Sequence, residues 1–536
     1  MITIDFEALL DIFNLFILFL INMPPLLSDY LNQGDHIVLQ YEFPKNEIDA
    51  VNSLARNAFP ERFLFGANIL PYGSDSASEI CDIEEDSGWN YLTQPNCCQM
   101  TSGKYTHSSC RSYQRYNEDV ILAQNLDAKM INIFLCWSWI LPNGIGGPIN
   151  EDAIEHYSDV IDEILDYGIT PMITLFQRDT PYPLQQLGSW ANPMIVEWFA
   201  AYARIAFTAF GNKVKFWMTL NDPVTLCTSG YGNTLTPTVL LSGMADYLCG
   251  HHVLLSHAKV YNLYRNEFWI RQKGKVGIGL NYMWFEPKNK DSMLDVNAVE
   301  IGFQWYNGWF TNPLFGKDGD YPTVMKERIT FKSHVQEFRN SRLPCFSEVE
   351  INDVKGAADF LGVNFYTAKH IQGFKLRLDA EISFDRDADI QIVSDNWPGE
   401  TSFKNTPWAL RKLLHRLNND YILPEIYVTG NGYMDNGQIK DVGRAIYYYQ
   451  HITEVLRAMQ RGIDIRGYLA WNLLDNFKSR HSNATTFGLF YVDEKDARLQ
   501  RHPKLSTTIL SNIYVTKRLN PLSEIIKFTR SRLNVP

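Results

Sequence analysis

The chain has 536 residues, 45% of them hydrophobic, 13% aromatic and 20% charged, and a formal net charge of −11. The composition is that of a globular protein, and the acidic balance excludes the basic stripe that a nucleic-acid partner would favour. The length accommodates several domains or one large (β/α) barrel with long loops.

In chain order, residues 1–58 read as an N-terminal segment ahead of a single body spanning 59–536. The segment's apolar run, 12–21, is interrupted by Asn14 and is too short for a stable membrane span. It resembles the apolar core of a secretion signal, although Asp5, Glu7 and Asp11 precede it where such a signal carries Lys or Arg. The expectation is a secreted chain, in which Asn483-Ala484-Thr485 is a glycosylation sequon.

Of eight cysteines, Cys81, Cys97, Cys98 and Cys110 cluster in one stretch. In a secreted chain they would form one or two disulfides across a long loop; otherwise they are free thiols, as Cys136 is expected to be inside its strand. No Cys-x-x-Cys pair exists, so neither a zinc site nor a redox motif is expected, and no cofactor is called for.

Buried-strand patterns recur at 63–66, 130–137, 169–176, 214–221, 276–281, 360–366, 425–429 and 465–474. Amphipathic stretches separate them. In one, 152–167, Ile154, Tyr157, Ile161 and Ile164 or Leu165 share a face, and 193–210 is another. Eight buried strands with helical intervals predict a parallel sheet closed into a (β/α)8 TIM barrel, with functional residues at the C-terminal strand ends. The longest irregular stretches, 68–112 and 313–355, are expected as loops over the barrel mouth.

Three further patterns read as structural. His251, His252 and His257 lie on the helix after the fourth strand and are expected in a core or surface role, with no metal. Arg461, Arg466, Arg480 and Arg501 are dispersed and expected to be solvated. The glycine-rich 274–279 enters a strand rather than leaving one, unlike a dinucleotide loop.

Several blocks in order resemble glycoside hydrolase family 1, the β-glucosidase and myrosinase family, over roughly 59–515. They are Phe59-Pro60-Glu61-Arg62-Phe63-Leu64-Phe65-Gly66, Trp137-Ser138 with Ile140-Leu141-Pro142, Gly188-Ser189-Trp190-Ala191-Asn192-Pro193, Leu361-Gly362-Val363-Asn364-Phe365-Tyr366, and Trp471-Asn472-Leu473-Leu474-Asp475-Asn476-Phe477. The third is similar to the insect branch. The resemblance implies the barrel and a mouth shaped for a β-linked sugar or another small ligand.

It also implies two catalytic glutamates that this chain lacks. Where the family has Thr-x-Asn-Glu-Pro with an acid/base Glu, this chain has Thr219-Leu220-Asn221-Asp222-Pro223. Asp is one methylene shorter and displaces the carboxylate by about 1.5 Å, which can cost 10²-fold or more. Where the family has Thr-Glu-Asn-Gly with the nucleophile, this chain has Thr429-Gly430-Asn431-Gly432. A retaining glycosidase needs two carboxyl groups about 5–5.5 Å apart, and glycine supplies none.

Other matched positions differ too. Asn132 stands for the arginine that pairs with the nucleophile, Gly73 for a sugar-binding glutamine, Gln177-Arg178 for His-Trp, and Lys478-Ser479 for Glu-Trp. Asn221, Asn364, Tyr366 and Trp471 match the family. Trp471 would stack on a sugar ring or fill a barrel layer. The candidate ligand contacts are therefore Asn221, Asn364, Tyr366, Trp471, Gln177 and Lys478, and the basic Arg178 and Lys478 admit an anionic ligand. Glu425, at the opposite end of the seventh strand and ~16 Å away at strand rise, is too far to substitute as nucleophile. Asp435, in the loop after that strand, could face the pocket, and a solvated role is expected for it. The sequence thus predicts an inactive glycosidase-like protein that binds a carbohydrate or a partner. The alternative is a residual or altered β-glucosidase using Asp222 as acid and an external nucleophile.

Overall fold

Nine strands lie in one sheet of the computed structural model, which describes residues 58–69, 112–232, 241–377, 381–393, 404–475, 486–493 and 499–520. They are β1 (Leu64–Ile69), β2 (Met130–Phe134), β3 (Thr170–Phe176), β4 (Phe216–Asn221), β5 (Lys275–Pro287), β6 (Phe360–Gly373), β7 (Ile390–Val393), β8 (Glu425–Asn431) and β9 (Ile465–Ala470). The order is β5-β4-β3-β2-β1-β9-β8-β6-β7, and a β5–β6 pairing closes the ring. The eight strands other than β7 pair in parallel, as a (β/α)8 barrel requires; β7 adds antiparallel to the far end of β6. A hairpin of β10 (Phe490–Val492) and β11 (Arg501–Pro503) stands apart.

Helices cover the barrel because their apolar faces need the sheet. In α1 (Glu151–Asp166) the Asn150 side chain accepts from Ala153 N, and Glu151 and Asp152 complement the helix dipole. Its buried face is Ala153, Tyr157, Val160, Ile161 and Ile164; Ile154 is only half-buried and Leu165 is exposed, a small rotation from the expected face. Later helices include α2 (Ile195–Phe210), α3 (Pro223–Gly232) and α4 (Ala245–Leu263).

The stretch 313–355 is not the irregular loop the sequence suggested. It holds the end of α5 (Trp309–Phe315), then α6 (Thr323–Val335) and α7 (Glu348–Val354). The Ser347/Glu350 capping box that starts α7 is visible in the sequence, but its four-residue signature is short. Further helices among the described residues include α8 (Pro407–Asp420), α9 (Val442–Gln460) and α10 (Leu505–Thr516). Among the described residues no helix is long and apolar enough to cross a membrane.

The barrel interior is layered. Met130, Met172, Met218, Phe360, Tyr427 and Leu469 form a buried cluster separate from the sheet–helix core. Two residues further along β2, β3 and β8 the side chains are the buried polar Asn132, Thr174 and Thr429, so on these strands an apolar floor gives way to a polar layer toward the mouth; the same step from Met218, Phe360 and Leu469 reaches Leu220, Gly362 and Trp471.

Candidate active site

Register shifts concentrate at the mouth end of the strands. They fall between Met218 and Asn221 in the β4–β5 pair, between Val363 and Asn364 in β6–β8, and between Val428 and Asn431 in β8–β9. Bulges of this kind re-aim side chains beside functional sites. Here they turn Asn221, Asn364 and Gly430 into one neighbourhood.

A continuous chain of hydrogen bonds crosses that neighbourhood. The Thr174 hydroxyl donates to Asn132 Oδ1 at 2.8 Å, and Asn132 Nδ2 donates to Asn68 Oδ1 at 2.8 Å. Asn68 Nδ2 donates to the Thr429 and Ala470 carbonyls at 2.9 and 3.1 Å. The Thr429 hydroxyl donates to Asn364 Oδ1 at 2.8 Å, and Asn364 Nδ2 donates to Asn221 Oδ1 at 2.7 Å. Six side chains from β3, β2, β1, β8, β6 and β4 are joined, all buried and none charged.

Gly430 lies against this network. A Cβ at position 430 would stand 2.7 Å from Asn364 Oδ1 and 2.9 Å from the Tyr366 hydroxyl. No side chain fits there unless both move. Gly432 is tighter still, its would-be Cβ lying 2.0 Å from the Trp471 carbonyl oxygen. Between them, Asn431 is fully buried and fastens the strand end. Its Nδ2 donates to the Phe365 carbonyl and the Tyr447 hydroxyl at 2.6 and 2.9 Å.

Asp222 follows β4 with φ +55°, and its carboxyl is 15% exposed. Burial pushes its pKa up from the ordinary 3.8, opposed by the Arg178 charge and by hydrogen bonds from Thr225 and Asn281. Arg178, just after β3, has φ +74°, a side chain 42% exposed, and an Nη2 3.9 Å from Asp222 Oδ2. That is an ion-pair distance too long for a hydrogen bond. Tyr366 is half-buried. Burial first and the Asp222 charge second hold its phenol well above the usual range, with Arg178 acting in the opposite sense. Arg178, Asp222, Tyr366 and Gly430 therefore share one electrostatic neighbourhood. Gln177 is half-buried, with its Oε1 buried and, among the described residues, without a hydrogen-bond partner. Trp471 is half-buried and meets Phe134 edge-on at 6.0 Å.

Two neighbours escaped the sequence reading. Asn281, near the mouth end of the barrel part of β5, bonds Asp222; its place at the end of a predicted strand was the available signal. Asp179 is 1% exposed, accepts a hydrogen bond from Trp137 N, and is pushed well above the carboxylate range by burial. Lys478, Ser479, Gly73, the glycosylation sequon, the 12–21 run and the four clustered cysteines lie outside the described residues.

Asp435 is not the solvated loop acid expected. It is 6% exposed and pairs with Arg444 at 2.6 Å, which fixes it to α9. Arg501 is likewise not solvated but 3% exposed against Asp119 at 3.1 Å. The three histidines of α4 diverge: His251 Nδ1 meets the Tyr321 hydroxyl, His252 Nδ1 the Trp190 carbonyl and His257 Nδ1 the Thr219 hydroxyl. Cys136 lies just past the end of β2 rather than inside a strand, with its Sγ 3.2 Å from the Ser138 hydroxyl oxygen. A disulfide the sequence did not suggest joins Cys227 of α3 to Cys249 of α4.

The sequence pattern of Glycosyl hydrolase family 1 matches residues 55–519. The chain belongs to glycosyl hydrolase family 1. A relative in that family is the lactase-like protein of Mus musculus, 35% identical over 464 residues that cover 85% of this chain and 81% of the relative. The structure of an aphid myrosinase superposes with a TM-score of 0.79 at 33% identity, covering 87% of this chain and all of that one. A family 1 β-glucosidase from Thermotoga maritima in complex with deoxynojirimycin superposes with a TM-score of 0.75 at 28% identity, covering 86% of this chain and 99% of that one.

Proposed function

We propose that this chain is a family 1 protein that binds a glycoside at the barrel mouth without cleaving it. The observation that carries this reading is Gly430. Retaining glycosidases need a nucleophile, and the resemblance aligns theirs with a residue that has no side chain. The space a side chain would take is held by the Asn364 and Tyr366 oxygens. Asn132 supports the same reading, since an arginine there would be a buried cation without its carboxylate, whereas asparagine is satisfied by Asn68 and Thr174. The ligand class rests on the retained Asn221, Asn364, Tyr366 and Trp471, and on the deoxynojirimycin held by the Thermotoga relative.

Secretion belongs to the same proposal. The family includes a cytosolic β-glucosidase of Cavia porcellus, so membership does not fix the compartment. The Cys227–Cys249 bond supports an oxidising one.

Purified full-length protein assayed with 4-nitrophenyl β-glucoside should release no nitrophenolate above background. Turnover abolished by Asp222→Ala would overturn the proposal. One observation favours a second reading, in which Asp222 works as an acid with an external nucleophile: burial raises its pKa, so it keeps a proton to higher pH. Azide or formate would then accelerate release and give an inverted glycosyl azide. The expected result is no response, because Asn364 and Tyr366 crowd the place the anion would enter.

A further inference from the structure

We infer that the mouth selects a glycoside bearing a carboxylate, with Arg178 as the residue that reads the charge. The inference rests on the glycoside-binding reading above. Its starting point is the charge inventory. By resemblance, a family enzyme carries two catalytic glutamates and the arginine that pairs with one of them, a balance of −1 among those three groups. This chain carries Asp222 and Arg178 in that neighbourhood, a balance of zero, over a floor of neutral amides and hydroxyls. Burial raises the Asp222 pKa, which biases the balance further toward positive.

Arg178 is available to a ligand. Its closest anion stands at 3.9 Å, and among the described residues its guanidinium makes no hydrogen bond. A free guanidinium offers a planar fork that matches a carboxylate in two parallel bonds, and it is less strongly hydrated than an ammonium. Its backbone is in the left-handed region at φ +74°, a conformation unfavourable for a long side chain, and such outliers concentrate at ligand sites.

The surrounding groups suit the rest of a sugar. Gln177 Oε1 is a buried acceptor lacking a donor among the described residues, which a hydroxyl would supply. Trp471 is half-buried, with ring surface for a pyranose face. The same fork would also accept a sulfate, so the probe must isolate the carboxylate.

The test uses a matched pair differing only at C6: 4-nitrophenyl β-D-glucuronide and 4-nitrophenyl β-D-glucoside. Binding to the full-length protein is measured by calorimetry at low salt and at 0.5 M NaCl, with nitrophenolate release monitored in parallel. The glucuronide should bind about 10-fold or more tighter, the preference should shrink at high salt, and Arg178→Gln should bring the ratio of glucuronide to glucoside affinity to about one in a protein whose Tm shows it folded. A 4-nitrophenyl β-glucoside sulfated at C6 measures the sulfate alternative, and a preference for it over the glucuronide would overturn the carboxylate assignment. Equal binding of glucuronide and glucoside, or a preference that survives Arg178→Gln, would overturn this inference alone. Binding of neither overturns both it and the glycoside-binding reading. Nitrophenolate release overturns the non-cleaving reading while leaving the preference measurable.

Discussion

At position 430 the absence of a side chain is built into its surroundings. Asn364 is held from one side by the Thr429 hydroxyl and bonds Asn221 on the other, and its Oδ1 lies 2.7 Å from where a Cβ would stand. Gly430→Glu therefore does more than restore a carboxylate. It displaces a buried amide from two hydrogen bonds and buries an anion beside Asn132 rather than an arginine. The expected cost is about 2–4 kcal/mol in urea unfolding, with no recovery of aryl β-glucoside turnover. Asn132→Arg alone should also destabilise, because it severs the bonds to Asn68 and Thr174. In the double variant the two new charges face each other, so the pair should cost less than the sum of the singles by about 1–3 kcal/mol. Gly430→Glu as stable as the parent, or strict additivity, would show that the amide network does not enforce the glycine.

At the scale of elements, the site is set by strand ends and by the helix behind Asp222. The bulges at Asn221, Asn364 and Gly430 could not be read from the sequence, because an extra residue in one strand shows only when the partner strand is paired with it. The eight strands themselves were legible, since each is a short apolar run that must be buried on both faces. The 313–355 helices were missed because their apolar positions are few and serve a peripheral layer, so their periodicity is weak. The Cys227–Cys249 bond was missed because a pairing depends on where α3 and α4 cross; their Cα atoms come within 5.5 Å only in the fold. That bond closes a loop with a separation of 22 residues and fastens the helix that begins beside Asp222. Replacing both cysteines with serine should lower unfolding stability by about 3 kcal/mol. Alkylation of the denatured, unreduced protein followed by mass spectrometry should label Cys345 but not Cys227 or Cys249. Label on either of the latter would remove the bond and the argument for an oxidising compartment with it.

For the molecule as a whole, the chemistry proposed to be lost leaves a stability that depends on buried polar ties between distant segments. One such tie joins α4 to the segments around Arg342 and Asp387. Arg342 donates to Asp387 through both terminal nitrogens, at 2.5 and 2.7 Å, and Tyr247 donates to the same carboxylate at 2.8 Å. Asp246 sits beside them, fully buried, accepting from Gly243 N, the Ser242 hydroxyl and Tyr247 N. Burial is the main cause that pushes its pKa up from 3.8 to about 6; the three donors oppose the shift and Asp387 adds to it. Between those two values the folded state holds a proton that the unfolded state has released. Stability from this group is thus complete below about pH 4 and is lost as pH rises through about 6, the reverse of an ordinary salt-bridged aspartate. Asp246→Asn removes the titration while leaving Asp387, Arg342 and Tyr247 in place. Urea midpoints at pH 4, 5, 6 and 7 should then show the parent losing its advantage over the variant as pH rises, by at most about 3 kcal/mol across the series. A difference that stays constant, or grows with pH, would mean that the three donors outweigh burial and that Asp246 is ionised throughout.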